Sequence, residues 1–111
     1  MIAATYKIFV PPEGQDAILE ALLSFMGPTE VKPGCLSCRV TQDVSDPEVI
    51  FYTEEWQSQD ALESHVRSQR YHFLLTIIDL SRREPEVKFT TTAQEWGMEF
   101  IEAVRNKCMR Q

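Results

Sequence analysis

The sequence predicts a single α+β domain in which an antiparallel sheet carries helices on one face. Its 111 residues, 43% of them hydrophobic and 25% charged, have the length and composition of one globular domain. Four segments show the two-residue alternation of strands, and the remaining long segments repeat apolar residues at helical spacing. Proline, glycine and short polar clusters separate these segments, so each element can be assigned in order.

The first two elements are a strand and a helix. Residues 2–10 place apolar side chains at every second position, which predicts a strand that is buried on one face. After a Pro-Pro turn, apolar residues recur at helical spacing, namely Ile18, Leu19, Leu22, Leu23 and Met26. Gly27 and Pro28 follow this pattern, and we expect the helix to stop there.

A hairpin follows the first helix. Pro33 and Gly34 turn the chain into a second strand over residues 35–44. A Ser-Asp-Pro turn then leads to a third strand over residues 48–56, which is rich in β-branched and aromatic side chains. The short connection predicts that these two strands pair.

The rest of the chain predicts helices around one more strand. Ser58 is placed to cap a helix that runs to about Ser68, where the chain bends before a second helical segment over residues 71–80. Residues 86–92 alternate as a last strand, and residues 94–107 have the spacing of a terminal helix.

The order strand, helix, strand, strand, helix, strand is the ferredoxin-like βαββαβ plan, extended here by a C-terminal helix. Residues 1–93 are assigned to the ferredoxin-like domain and residues 94–111 to the helical extension. Large side chains are expected on both sheet faces: Tyr6, Phe9, Val40, Phe51, Tyr52, Val87 and Phe89. Because one helical layer covers only one face, they predict a homodimer that packs sheet against sheet. We expect the terminal helix to pack across the subunit boundary or over the mouth of the barrel that such a dimer forms.

The charge pattern argues against nucleic acid as a partner. The chain has 11 basic and 17 acidic residues, a net charge of −6, and its arginines are scattered rather than concentrated as phosphate binding requires. No apolar run approaches the roughly 20 residues of a membrane span, and the N-terminus has no signal-peptide pattern. We expect a soluble, cytoplasmic protein that binds neither nucleic acid nor membrane.

The three cysteines do not predict a disulfide scaffold. Cys35 and Cys38 form a C-x-x-C, which would serve as half of a zinc site or as a redox pair in another setting. Here they fall on the second strand, where we expect their side chains to point to opposite faces. Two half-buried structural thiols are the favoured interpretation, and no metal site is predicted.

The sequence resembles the antibiotic biosynthesis monooxygenase domain over about residues 2–92. The resemblance is carried by Pro33-Gly34-Cys35, by the strand end Phe51-Tyr52-Thr53-Glu54-Glu55-Trp56, by Ala61-Leu62 with His65, and by Tyr71-His72-Phe73. Its most specific piece is Glu54-x-Trp56 followed by Leu62 and His65. The resemblance implies a dimeric α/β barrel, and activities that include cofactor-independent quinol or polyketide monooxygenation and heme degradation.

Three residues are the main candidates for a site. His65 lies on the helix face that packs on the sheet, where a histidine is either a general base or a core residue with satisfied ring nitrogens. Trp56 and Tyr52 share one face of the third strand and either wall an aromatic pocket or anchor the core. Arg39 and Tyr6 are further candidates for holding a substrate anion.

The resemblance also limits the chemistry. Its members often carry a second histidine five residues after the first, and this chain has Arg70 there. The heme branch has its pocket tryptophan at the position of His65 and its heme ligand at about Leu75, so no heme ligand is evident. His72, seven residues from His65, is too far along a helix to share a metal ion with it and is expected to be partly exposed.

The chain has no flavin fingerprint and no glycine-rich phosphate loop, so we expect no cofactor. An oxygenase of this kind uses its substrate, a small phenol or hydroquinone, as the electron donor to dioxygen. Two other classes stay open: a non-catalytic ligand-binding or structural dimer module, and an isomerase or decarboxylase on the same scaffold.

Overall fold

The computed structural model describes residues 1–109, with side chains as far as residue 106. Its elements are β1 (Ile2–Phe9), α1 (Pro12–Glu30), β2 (Cys35–Gln42), β3 (Val49–Trp56), α2 (Gln59–Val66), α3 (Tyr71–Ile78), β4 (Glu86–Thr91) and α4 (Met98–Met109). The predicted ferredoxin-like α+β fold with an added C-terminal helix is confirmed. The last two residues of the predicted 94–111 extension lie outside the described part of the chain.

The four strands form one open antiparallel sheet in the order β2-β3-β1-β4. The central strands β1 and β3 pair so that Tyr6 lies opposite Tyr52 and Ile2 lies opposite Trp56. The inward side chains of these two strands pack under α1 and α3 and are almost fully buried. A polar residue at an inward position of β1 or β3 is therefore enclosed by the core.

The outer face of the sheet is more polar than expected. Of the seven large side chains expected on the two faces, five lie on the helix-facing side: Tyr6, Val40, Tyr52, Val87 and Phe89. Phe9 and Phe51 lie on the outer face, where the Lys7 ammonium lies 5.4 and 5.8 Å from their ring centroids. Large side chains thus lie on both faces, as expected, although the outer face carries only two of the seven, and the sheet-to-sheet homodimer stays a prediction.

Helix α1 continues through Pro28 to Glu30, so the expected stop at Gly27-Pro28 is wrong. Proline has no N–H, and its place in the helix leaves the carbonyl of Ser24, four residues earlier, without its usual donor. The guanidinium of Arg70 donates to that carbonyl oxygen at 2.9 Å. A side chain that precedes α3 thus replaces the hydrogen bond that would otherwise have been lost.

The cysteine pair is also placed differently from expectation. A β-bulge between Cys35 and Ser37 shifts the register of β2 against β3. The shift brings the Sγ atoms of Cys35 and Cys38 to 3.7 Å, so the two thiols do not point to opposite faces. Both are half-buried, as predicted, and burial raises the pKa of both, that of Cys38 to about 12.

Helix α4 begins at Met98, four residues later than predicted, after a Gly97 N–H that donates to the Glu99 carboxylate at 2.8 Å. Large apolar side chains in this helix and just before it are exposed in the single chain, namely Trp96, Met98, Phe100, Ile101 and Val104.

Within the described residues, no helix combines the length and apolarity that crossing a bilayer requires.

Candidate active site

The turn between α1 and β2 sets one wall of the site. Gly34 has a φ of +85°, and a Cβ at this position would lie 2.5 Å from the Cβ of Ala61 in α2. Its carbonyl accepts a hydrogen bond from the N–H of Gln57 at 2.8 Å. Glycine is needed here for both its left-handed backbone and its lack of a side chain, and it holds the turn against the start of α2.

A cleft of about 580 Å³ lies between this turn and α2. Its polar lining includes Lys32 from the turn, Ser64 and Ser68 from the region of α2, and Asp60 at the start of that helix. The buried side chains of Trp56 and His65 form its inner end. The cleft thus combines a mainly apolar lining with a few polar groups and ends on two aromatic rings, which is the character of a small-molecule site.

The centre of the site is a buried carboxylate on β3. The alternation of the strand turns Tyr52, Glu54 and Trp56 inward together, and Glu54 is 0% exposed. The Tyr52 hydroxyl donates to Oε2 of Glu54 at 2.7 Å, and the Trp56 indole N–H donates to Oε1 at 3.0 Å. Buried charge is stable only when it is paired and hydrogen-bonded, and the strand itself supplies two of the donors.

His65 completes the set of partners of Glu54. Its Nε2 lies 3.0 Å from Oε2 of the carboxylate, and its side chain is fully buried. Because Glu54 accepts the Nε2–H, the neutral ring has its lone pair on Nδ1, on the side of Lys32. The Trp56 ring lies against the imidazole with a centroid distance of 4.7 Å, and Tyr71 contacts it edge-on at 5.3 Å.

Lys32 occupies the free nitrogen of His65. Its Nζ lies 2.9 Å from Nδ1 and donates to Oγ of Ser68 at 3.2 Å. Ser68 in turn donates to the backbone carbonyl of His65 at 2.6 Å. Desolvation lowers the pKa of Lys32, and the negative charge of Glu54 opposes that shift. Hydrogen bonds therefore connect the side chains of Glu54, His65 and Lys32 in that order, from the core to the cleft.

The predicted site residues are partly brought together. His65 and Trp56 meet at the cleft, whereas Tyr52 lies behind Glu54 and does not line it. The Tyr6 hydroxyl bonds that of Tyr71 at 2.7 Å inside the core. Arg39 is exposed on the opposite face of the sheet, beside Thr53 and other outward residues of β2 and β3. Neither Tyr6 nor Arg39 lines this cleft.

Burial keeps the three tyrosines around this network protonated, and the Tyr52 hydroxyl donates to Glu54. Burial raises the pKa of Tyr6, Tyr52 and Tyr71, and the Glu54 charge raises that of Tyr52 further.

His72 is exposed on α3, away from the cleft, as predicted.

Sequence reasoning missed the roles of Glu54 and Lys32. Glu54 carried a usable signal, since an acidic residue between two aromatic residues on the inward face of a strand must find buried partners. Lys32 carried none, because its contact with His65 joins residues 33 positions apart in the chain.

Solved structures share this fold. A crystal structure of an antibiotic biosynthesis monooxygenase covers 85% of this chain and 100% of its own length, with a TM-score of 0.73 and 23% identity. A conserved protein from Methanosarcina mazei Go1 covers 82% and 91%, with a TM-score of 0.75 and 24% identity. Rv0793 from Mycobacterium tuberculosis covers 86% and 98%, with a TM-score of 0.75 and 21% identity. These similarities define the class of protein, a ferredoxin-like α+β domain.

The family follows from the sequence match. The model of the family described as antibiotic biosynthesis monooxygenase matches residues 1–73, and the chain belongs to that family. The uncharacterized protein sll1783 from Synechocystis is 24% identical over 94 residues, 84% of this chain. The chain spans 64% of the length of that curated relative.

Proposed function

We propose that the protein is a monooxygenase that oxidises a small phenol or hydroquinone with dioxygen, with His65 as the general base. The observation that carries this proposal is the hydrogen bond of 3.0 Å between Nε2 of His65 and the buried Glu54 carboxylate. That bond orients the ring, leaves Nδ1 as the basic nitrogen, and offsets the positive charge that forms when Nδ1 takes a proton.

Proton removal makes the substrate its own reductant. A phenol that transfers its proton to Nδ1 becomes an electron-rich anion that can give electrons to dioxygen. In overall balance the substrate loses two hydrogens and gains one oxygen atom, and the second oxygen atom leaves as water. The reaction needs no bound electron carrier, and the mainly apolar lining of the cleft, which ends on the buried Trp56 ring, suits an aromatic substrate.

Oxygen consumption on a panel of hydroquinones, menadiol-like compounds included, tests this function. We expect His65→Ala to lower the enzyme-dependent rate by at least about 100-fold, the contribution of a general base. His72→Ala is the matched control, because His72 is the exposed histidine of the chain and should leave the rate unchanged. A folded His65→Ala protein as active as the native protein on every substrate would overturn the proposal.

One observation favours the alternative, a non-catalytic ligand-binding module. Nδ1 of His65 already accepts from Lys32 at 2.9 Å, and the imidazole is fully buried, so the ring is satisfied without a substrate. If the native protein binds aromatic ligands in the cleft but consumes no oxygen with any of them, this alternative is the correct one.

We also propose that the protein acts as a homodimer. The exposed apolar side chains of α4, with those of Val87 and Phe89 on β4, are available for a second copy to cover. We expect light scattering at micromolar concentration to give twice the chain mass of 12.8 kDa. A chain without residues 94–111 should dimerise less, and a mass of one chain for the full-length protein would contradict the assembly.

A further inference from the structure

We propose that Lys32 binds the ionised oxygen of the aromatic ligand and that it transfers from Nδ1 of His65 to that oxygen when the ligand proton arrives. The inference rests on the proposed function and names the group that holds the anion. Lys32 lines the cleft, and its Nζ lies 2.9 Å from Nδ1. A proton acceptor and a cation are thus adjacent at the point where a phenolic hydroxyl would enter.

The single lone pair of Nδ1 couples the arrival of the ligand proton to the departure of Lys32. In the resting site Nδ1 uses its single lone pair to accept from the Lys32 ammonium. Because that lone pair is in use, the ligand proton can bind Nδ1 only as Lys32 leaves it, and the imidazolium that forms repels the neighbouring ammonium. Lys32 is therefore released at the moment when the ligand oxygen becomes an anion, and its N–H groups can donate to that oxygen.

The charges balance throughout this transfer. Before the ligand binds, the Glu54 carboxylate and the Lys32 ammonium sum to zero beside a neutral His65. Afterwards the imidazolium and the ammonium offset the carboxylate and the phenolate. One O–H bond breaks, one N–H bond forms on Nδ1, and no electron moves in this step. The proton does not leave the site, so the buried network never carries an uncompensated charge.

The surroundings of Lys32 suit this movement. Oγ of Ser68, 3.2 Å from Nζ, gives the ammonium a second partner at the cleft wall while it leaves Nδ1. Asp60 lines the same cleft from α2, and Arg70 and Cys35 are the other charged or titratable groups that influence Lys32 beside Glu54. A lysine has the flexible stem and compact charge that a movement of a few ångströms requires.

The substrate class is accordingly an aromatic compound whose hydroxyl ionises readily. A suitable probe is 4-nitrophenol, whose absorbance reports directly whether it is bound as the phenol or as the yellow phenolate. We expect the native protein to bind the phenolate in preference to the phenol, which shifts the apparent pKa of the bound probe below that of the free probe. Lys32→Met should weaken phenolate binding by at least about tenfold, as expected for loss of one hydrogen bond from a charged donor.

Two control variants make the result specific. Lys88→Met removes an exposed lysine on the outer sheet face and should bind the probe like the native protein. Lys32→Arg keeps the charge and should recover part of the preference for the phenolate. Circular dichroism and thermal melts establish that each variant is folded.

This experiment measures binding of the probe and not turnover of a substrate. The inference about Lys32 and the proposed oxygenase function can therefore fail independently of each other. The inference is overturned if the native protein does not prefer the phenolate, or if folded Lys32→Met binds it as tightly as native. A preference that depends on Lys32, without oxygen consumption by any hydroquinone, would support the anion site and overturn the oxygenase.

Discussion

Replacing Glu54 by glutamine tests whether the buried carboxylate organises the site. The carboxylate accepts three hydrogen bonds, two at Oε2 and one at Oε1. A glutamine has one acceptor oxygen and one donor NH₂ group. If its oxygen faces Tyr52 and His65, its NH₂ faces the indole N–H of Trp56, where two donors meet at about 3 Å. The opposite orientation of the glutamine amide places its NH₂ group against the Tyr52 hydroxyl and the Nε2–H of His65, which are themselves donors.

The cost follows from this geometry. One buried donor without an acceptor costs about 1–3 kcal/mol, and exchanging two charge-assisted hydrogen bonds for neutral ones costs about 1 kcal/mol each. We therefore expect Glu54→Gln to lower the free energy of unfolding by about 3–5 kcal/mol. Urea denaturation measures this difference, and we expect hydroquinone oxidation to fall as well, since His65 loses its orienting acceptor.

Glu55→Gln is the matched control for this substitution. Glu55 is the next residue on the same strand, but it points to the outer face, where Oε1 accepts from the Ser37 hydroxyl at 2.6 Å. A glutamine oxygen can accept that bond equally well, so we expect a change within about 1 kcal/mol. If the Glu54→Gln and Glu55→Gln proteins were equally stable and equally active, the carboxylate would not be the organising group.

Two further predictions concern stability. Burial raises the pKa of all three tyrosines of the chain above the ordinary 10.0. The unfolded chain therefore loses protons above pH 10 that the folded chain keeps, and stability, intact below pH 10, falls above it by up to about 1.4 kcal/mol per pH unit for each of Tyr6 and Tyr52, the two with large shifts. Absorbance at the tyrosinate band should reach the value for three ionised tyrosines only with unfolding; a folded protein that shows this full signal would contradict the prediction. Arg70→Met should lower the free energy of unfolding by about 0.5–1.5 kcal/mol, the net contribution of its hydrogen bond to the exposed Ser24 carbonyl, and the same change beside Pro28→Ala should cost less. Equal costs in both backgrounds, measured by urea denaturation, would show that Arg70 does not replace the hydrogen bond that proline lacks.

The sequence by itself determined the fold, because the signals for its elements are local. Two-residue alternation, helical spacing, the cap at Ser58 and the Pro33-Gly34 turn act within a few residues of each other. They predicted the element order, the break between α2 and α3, and the inward orientation of His65 and Trp56. The same local reasoning identified these two as candidates without showing what they contact.

Only the tertiary structure decided how the site is assembled. Glu54 meets His65 across a strand–helix interface, and Lys32 reaches the same imidazole from a turn 33 positions earlier in the chain. The continuation of α1 through Pro28 likewise brings the Ser24 carbonyl to a donor on Arg70, a contact that no local pattern predicts. The bulge in β2 redirected the cysteine pair, and only the strand registers showed that five of the seven large side chains share the helix-facing side of the sheet. Each of these outcomes depends on hydrogen-bond partners and strand registers that exist only once distant segments have come together, because buried polar groups are satisfied by whichever neighbour the packing supplies.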